Sequence, residues 1–201
     1  MKRILVFTLS IAIALTGCSA AWISTIDSIL AVAAPALVNI LQIVAVANGQ
    51  PLNSNLAAKI NTDASAIKLL AGDFAAASST SATRMCQQLQ AAISTYQADQ
   101  QLVLQVAQVS DVNTQTKITL LADLVAGTVQ AITAVIPSCQ NTASARDSQA
   151  MPALKLGNFV TEYNAILKIK TGNAAVDAIT PKLTIHQHSK IERTLTFGRL
   201  Q

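Results

Sequence analysis

Four stretches of this 201-residue chain carry apolar side chains at intervals of three and four, and that period limits its folds more than any motif does. In the first, read as a helix over 24–47, the series is Leu37, Ile40, Leu41 and Val44. Leu56, Ile60, Ala64, Ile67, Ala71 and Phe74 mark a second over 54–78. Met85, Leu89, Ala92, Tyr96 and Val103 mark a third over 82–109, and Ile118, Leu121, Val125, Ile132 and Val135 a fourth over 114–136. The segments between them, NGQPLNSN (48–55), SSTSA (78–82) and SDVNT (110–114), are polar and rich in residues that turn the chain or cap a helix. Links this short join antiparallel neighbours. The expected fold class is therefore all-α, an up-and-down antiparallel bundle of four long helices.

Composition agrees with that reading. Apolar residues are 51% of the chain but aromatic ones only 3%, and there are 35 alanines. An interior of small and aliphatic groups suits closely packed helices better than a β-sandwich. A fifth helix is expected over 152–170, where Pro152 suits a first turn and Leu156, Val160, Tyr163 and Leu167 form another stripe. TGNAAVDAITP (171–181) has room for one or two further turns. Past Pro181, LTIHQH and TLTFGRL alternate apolar and polar residues as a short β-hairpin would, an irregular tail being the alternative.

The amino-terminal residues stand apart. Met1-Lys2-Arg3 is cationic, and ILVFTLSIAIAL (4–15) is apolar except for Thr8 and Ser10. As a helix that run covers about 18 Å, well short of the roughly 30 Å of hydrocarbon that a spanning helix crosses. A charged start, a short apolar middle and small residues at the exit make a secretory signal. Leu15-Thr16-Gly17-Cys18 then resembles the lipobox of bacterial lipoproteins, in which Leu, a small residue and Gly or Ala precede the cysteine. The resemblance covers only this amino-terminal region and names no family for the rest. It implies that residues 1–17 are cleaved, that a diacylglycerol is placed on the Cys18 sulfur and that the new amino terminus is acylated, by palmitate or a similar fatty acid. Several acyl chains make attachment effectively permanent, where one gives only marginal binding. In two-membrane bacteria Asp after the cysteine retains a lipoprotein in the inner membrane, so Ser19 implies the outer membrane. An ordinary cleaved signal with a chance cysteine is the competing reading.

Four regions follow: a cleaved signal (1–17), a lipidated amino terminus (18–23), a helical bundle (24–170) and a basic carboxy-terminal tail (171–201). Lys2 and Arg3 supply half of the net charge of +4, so the mature chain is close to neutral and offers no nucleic-acid surface. The charge is uneven, residues 146–201 holding eight basic and four acidic groups. Such a tail either rests on anionic headgroups or is merely solvated. Once Cys18 is acylated, Cys86 and Cys139 are the remaining thiols, and an exported protein meets oxidising conditions. In an up-and-down bundle the start of the third helix and the end of the fourth share one end, so a Cys86–Cys139 disulfide is expected. Closing that loop is worth about 4 kcal/mol in the chain-entropy model. Two unpaired thiols, or a bridge between chains, are the alternatives.

Catalytic constellations are lacking. His186 and His188 lie two apart, but a zinc site needs three or four ligands and only Glu192 is near. The sequence has no Gly-x-Ser-x-Gly elbow, no Glu-x-x-His pair and no grouped glycines. No catalytic residue, metal or cofactor is expected, and the protein is read as non-enzymatic.

The apolar segment ILAVAAPALVNILQIVAVA (29–47) is nearly long enough to cross a bilayer. Pro35, Asn39 and Gln42 interrupt it, and a helix in the middle of a bundle is also apolar nearly all round. The buried helix is the preferred reading and membrane insertion the alternative. Trp22, close behind Cys18, suits either the headgroup level or a cap on the core. The third helix holds Gln87, Gln88, Gln90, Gln97, Gln100, Gln101, Gln105 and Gln108, a neutral polar surface for another helix or for water. The functional expectation is a lipid-anchored structural or interaction module of the cell envelope with a protein partner. A carrier holding a small apolar ligand between its helices is the alternative binding function.

Overall fold

The computed structural model describes residues 20–77, 79–135 and 156–186. Helices α1 (Ala20–Ala47), α2 (Ser54–Ala76), α3 (Ser79–Val106), α4 (Val112–Val135), α5 (Leu156–Lys168) and α6 (Ala174–Ile179) are followed by a 3₁₀ turn, Thr180–Leu183. The described residues form no strand.

Two of the three links between the long helices are set by local devices. Gly49, at φ 62°, ends α1, with the Gln50 amide bonding the Ala45 carbonyl at 2.8 Å and the Gly49 amide bonding Val46 at 3.2 Å. That is a Schellman closure, in which glycine takes the left-handed conformation without a Cβ penalty. Asn53 starts α2 by accepting from the Leu56 amide at 3.1 Å. Asp111 starts α4 in the same way, accepting from Thr114 at 2.7 Å. These carboxylate and amide oxygens satisfy amides that a helix start leaves without intrahelical partners.

Consecutive helices pack side by side, α1 on α2 and α2 on α3, and α4 returns to α1, the connectivity of an up-and-down bundle. The seam between α3 and α4 is the loosest of the four. Helices α5 and α6 and the 3₁₀ turn cover the outer side of the α1–α4 pair. The core is aliphatic and small, from Ile29, Leu37, Ile40, Ile60 and Leu121 to the buried alanines Ala33, Ala36, Ala64 and Ala71.

Helix α1 is the spine. Ser24, Ala31 and Pro35 are its exposed residues between Trp22 and Ala47. Pro35 removes one intrahelical bond and frees the carbonyl of Ala31, four residues earlier on the same stripe. Both lie on the wet face, where water can take the freed group. Beyond Pro35 no residue of α1 is exposed, because the carboxy-terminal elements close over it. Asn39 donates from Nδ2 to the Tyr163 hydroxyl at 3.1 Å and to the Leu183 carbonyl at 2.8 Å.

Three boundaries differ from the sequence reading. Helix α1 starts at Ala20 rather than near Ser24, so most of the expected lipidated terminus (18–23) is already helical. Residues 171–186, set apart as a tail, pack on the bundle, with Val176, Thr180 and Leu183 buried. The described part of the proposed first strand, Leu183 to His186, is not one: Leu183 closes the 3₁₀ turn. Ile185 finds a substitute for a strand partner in the Asn164 side chain, which donates to its carbonyl at 2.8 Å and accepts from its amide at 3.0 Å. The second expected strand lies outside the described residues.

Candidate functional site

The end of the bundle from which the amino-terminal residues leave is closed by aromatic contact. Trp22, in the first turns of α1, meets Phe74, in the last turn of α2, edge to face with ring centroids 5.7 Å apart. Trp22 is partly buried against the core, so of its two sequence readings the structure shows the cap. Helix α1 therefore enters the packed body within a few residues of Cys18, which itself lies outside the described residues.

Cys86 is fully buried on the inner side of α3, in its second turn from this same end. Its expected partner Cys139 lies outside the described residues. Helix α4 runs toward that end and is described to Val135. His186 is exposed, whereas His188 and Glu192 are outside the described residues, and Glu162 is exposed on α5. Among the described residues no group of three or more His, Cys, Asp or Glu side chains is placed to hold a metal.

The opposite end is tied together by side chains. Asn48 donates to the Gln108 carbonyl at 3.1 Å, Asn113 to the Thr171 carbonyl at 3.1 Å and Lys117 Nζ to the Leu167 carbonyl at 3.2 Å. Lys117 is buried, and burial holds its ammonium below the usual lysine range. It sits at the carbonyl end of α5, where the helix dipole favours a cation. Asp177 accepts from the amides of Thr171 and Gly172 at 3.0 and 3.3 Å, bonds that hold its carboxyl below the usual range.

One polar cluster escaped the sequence reading. Lys59 of α2 donates to Asp63 at 2.7 Å, one turn along, and to Asp99 of α3 at 2.6 Å. The Asp99 side chain is only 4% exposed, and burial pushes its carboxyl up despite the opposing pull of Lys59. Burial also raises Asp63, yet the hydrogen bond from Lys59 helps bring it below its ordinary value. The Tyr96 hydroxyl, one turn from Asp99, is pushed well above its ordinary range by burial and by that carboxylate. Lys59 bridges the two carboxylates, and the cluster acts as a clasp between α2 and α3. The signal was present: beyond Arg84, Asp99 is the one charged residue of α3, and a lone charge on an otherwise neutral helix asks for a partner.

The apolar segment is now located. Within Trp22–Ala47, long and apolar enough by composition to cross a membrane, 67% of the most apolar window is buried inside the protein. The neighbouring helices cover most of it.

Residues 1–19 match the prokaryotic membrane lipoprotein lipid attachment site. The chain carries a bacterial lipoprotein signal. Cys18 of the LTGC box falls inside the matched residues and is the acceptor that such a signal presents. No curated protein and no solved structure matches the chain, so this signal is what ties it to known proteins.

Proposed function

We propose that this lipid-anchored envelope lipoprotein is a non-enzymatic structural or interaction module, held by acylated Cys18 so that its helical body stands directly on the membrane. The observation that carries this reading is the start of α1 at Ala20, two residues past Cys18, in a helix that becomes the spine of the bundle. A carrier meant to swing on a tether needs a flexible spacer. Here the acyl chains and the core helix are nearly continuous, which suits a part with a fixed place and orientation.

At 1.5 Å per residue α1 is about 42 Å long, so the hydrogen-bonded far end is presented roughly that distance from the lipid. The burial of α1 supports a bundle helix over a second membrane segment. Ser19 supports the outer membrane as the destination. The shared end of α3 and α4 supports a Cys86–Cys139 bridge.

Metabolic labelling with a radioactive fatty acid, comparing the wild-type protein with Cys18→Ala, tests the anchor. The wild type should be labelled and resist carbonate extraction, and the variant should be unlabelled and released. Label retained by Cys18→Ala, or wild-type protein that washes off membranes, overturns the proposal. Separating the two membranes by density tests the destination. Crosslinking the anchored protein in cells and sequencing what is captured tests the interaction role, which a protein found free of any neighbour would contradict.

A further inference from the structure

On the basis of the interaction role proposed above, we infer that the end of the bundle opposite the start of α1 is the docking surface, and that its partner is an envelope protein offering an apolar patch edged by carboxylates.

Exposed large apolar side chains are not scattered evenly over the body. Among the described residues there are seven, and four of them, Leu52, Val106, Val112 and Ile169, stand at this one end. Val112, at the start of α4, is 75% exposed, and Ile169, just past α5, is 48% exposed. Single exposed apolar residues are ordinary, whereas several together mark a contact surface. These four also sit on a fixed frame. The Asn48–Gln108 bond ties the α1–α2 link, which holds Leu52, to the α3–α4 link, which follows Val106. The Asn113–Thr171 bond ties the first turn of α4 to the link that holds Ile169. A surface formed in advance loses less freedom on binding than loose loops do.

Charge and position identify the occupant. The acidic groups at this end are turned to backbone amides, Asp111 accepting from Thr114 at 2.7 Å and Asp177 from Thr171 at 3.0 Å. Lys168 and Lys170 are exposed in sequence on either side of Ile169 and enter no ion pair among the described residues. Carboxylates on a partner therefore find two unpaired ammonium groups beside an apolar side chain. A second copy brings the same lysines, and on one membrane its matching end points the same way. The bilayer that holds the anchor is about 42 Å away along α1. An opposing bilayer would desolvate Gln50, Gln108 and Ser110, exposed among the apolar groups, without bonding them. Residues 48–53, 106–113 and 168–173 also include none of the aromatic side chains that settle at headgroups. A protein surface supplies carbonyls and amides to those polar groups.

The test uses the full chain in a bacterial envelope, with the photo-crosslinking residue p-benzoylphenylalanine placed singly at position 112, 169, 69 or 120. Leu69 and Leu120 are exposed apolar controls on the sides of α2 and α4. Positions 112 and 169 should capture one and the same protein, at least roughly fivefold more than positions 69 and 120. Lys168→Glu with Lys170→Glu should cut that product at least roughly fivefold, and Lys168→Arg with Lys170→Arg should keep it. Sequencing of the adduct should place it beside Asp or Glu residues of the captured protein. Changing those residues to Lys should restore capture by the chain carrying Lys168→Glu and Lys170→Glu, which a misfolded variant could not show. Equal capture from all four positions, an adduct with a second copy or with a phospholipid, indifference to charge reversal, or no restoration overturns the inference. The reading beneath it fails separately: a partner captured only from the helix sides refutes the docking surface and leaves the interaction role, whereas an anchored chain that captures nothing from any position refutes both.

Discussion

Replacing Leu37 by alanine asks directly whether α1 is held by protein or by lipid. Leu37 is 1% exposed in the middle of α1. The substitution removes three carbons, about 2.4 kcal/mol of transfer free energy at roughly 0.8 kcal/mol each. The rigid neighbours close the resulting cavity only in part, which brings the expected loss to about 3–4 kcal/mol. Against a domain stability of roughly 5–15 kcal/mol, that is a large fraction. Leu69 on α2 is the matched control, the same residue type left 70% exposed, and Leu69→Ala should cost less than about 0.5 kcal/mol. Urea unfolding of the mature protein carrying Cys18→Ser, followed by circular dichroism, reads both. With a slope near 2 kcal/mol per molar urea, the Leu37→Ala midpoint should fall by about 1.5–2 M and that of Leu69→Ala should hardly move. A Leu37→Ala midpoint within about 0.5 M of wild type would refute the burial argument and reopen insertion of residues 29–47 into the bilayer.

Other perturbations follow from particular contacts. Asn39→Ala removes both bonds that seat the carboxy-terminal elements on α1 and strands the buried Tyr163 hydroxyl, a loss of about 1–3 kcal/mol; hydrogen exchange should show amides of 156–186 losing protection before those of α2 and α3. Lys117 has a folded pKa below its ordinary 10.5, so the unfolded chain binds its proton more tightly and stability rises as pH climbs through the folded value toward 10.5. The wild type should therefore gain on Lys117→Met across the alkaline range, and a pH-independent difference would show that the ammonium reaches water. A Cys86–Cys139 bridge predicts that Cys86→Ala costs about 4 kcal/mol more under oxidising than under reducing conditions, where only the packing of this buried side chain is lost; equal stability of the wild type with and without reductant would exclude the bridge.

The clasp and the α1 cap show why part of the site was hidden. Lys59 and Asp63 stand four apart on α2, the spacing of any helical ion pair, and nothing local indicates that the same ammonium reaches Asp99, forty residues away, on another helix. Asn39 read as an interruption in an apolar helix, because its partners Tyr163 and Leu183 lie more than a hundred residues ahead. Asn164 and Ile185 defeated the strand expectation for the same reason: alternation records which groups need partners, not what supplies them. The lipid attachment signal needed no fold at all, since a contiguous run of charge, apolar length and a four-residue box is read before the chain folds.

Local chemistry thus settled the helices, their short links and the anchor signal, because spacing, caps and the LTGC box act over a few residues. The tertiary structure alone decided that α1 is packed among the other helices, that residues 171–186 belong to the body, and which polar groups share a proton donor. The physical reason is that burial and hydrogen-bond satisfaction depend on what surrounds a side chain, and those surroundings come from parts of the chain that sequence distance keeps apart.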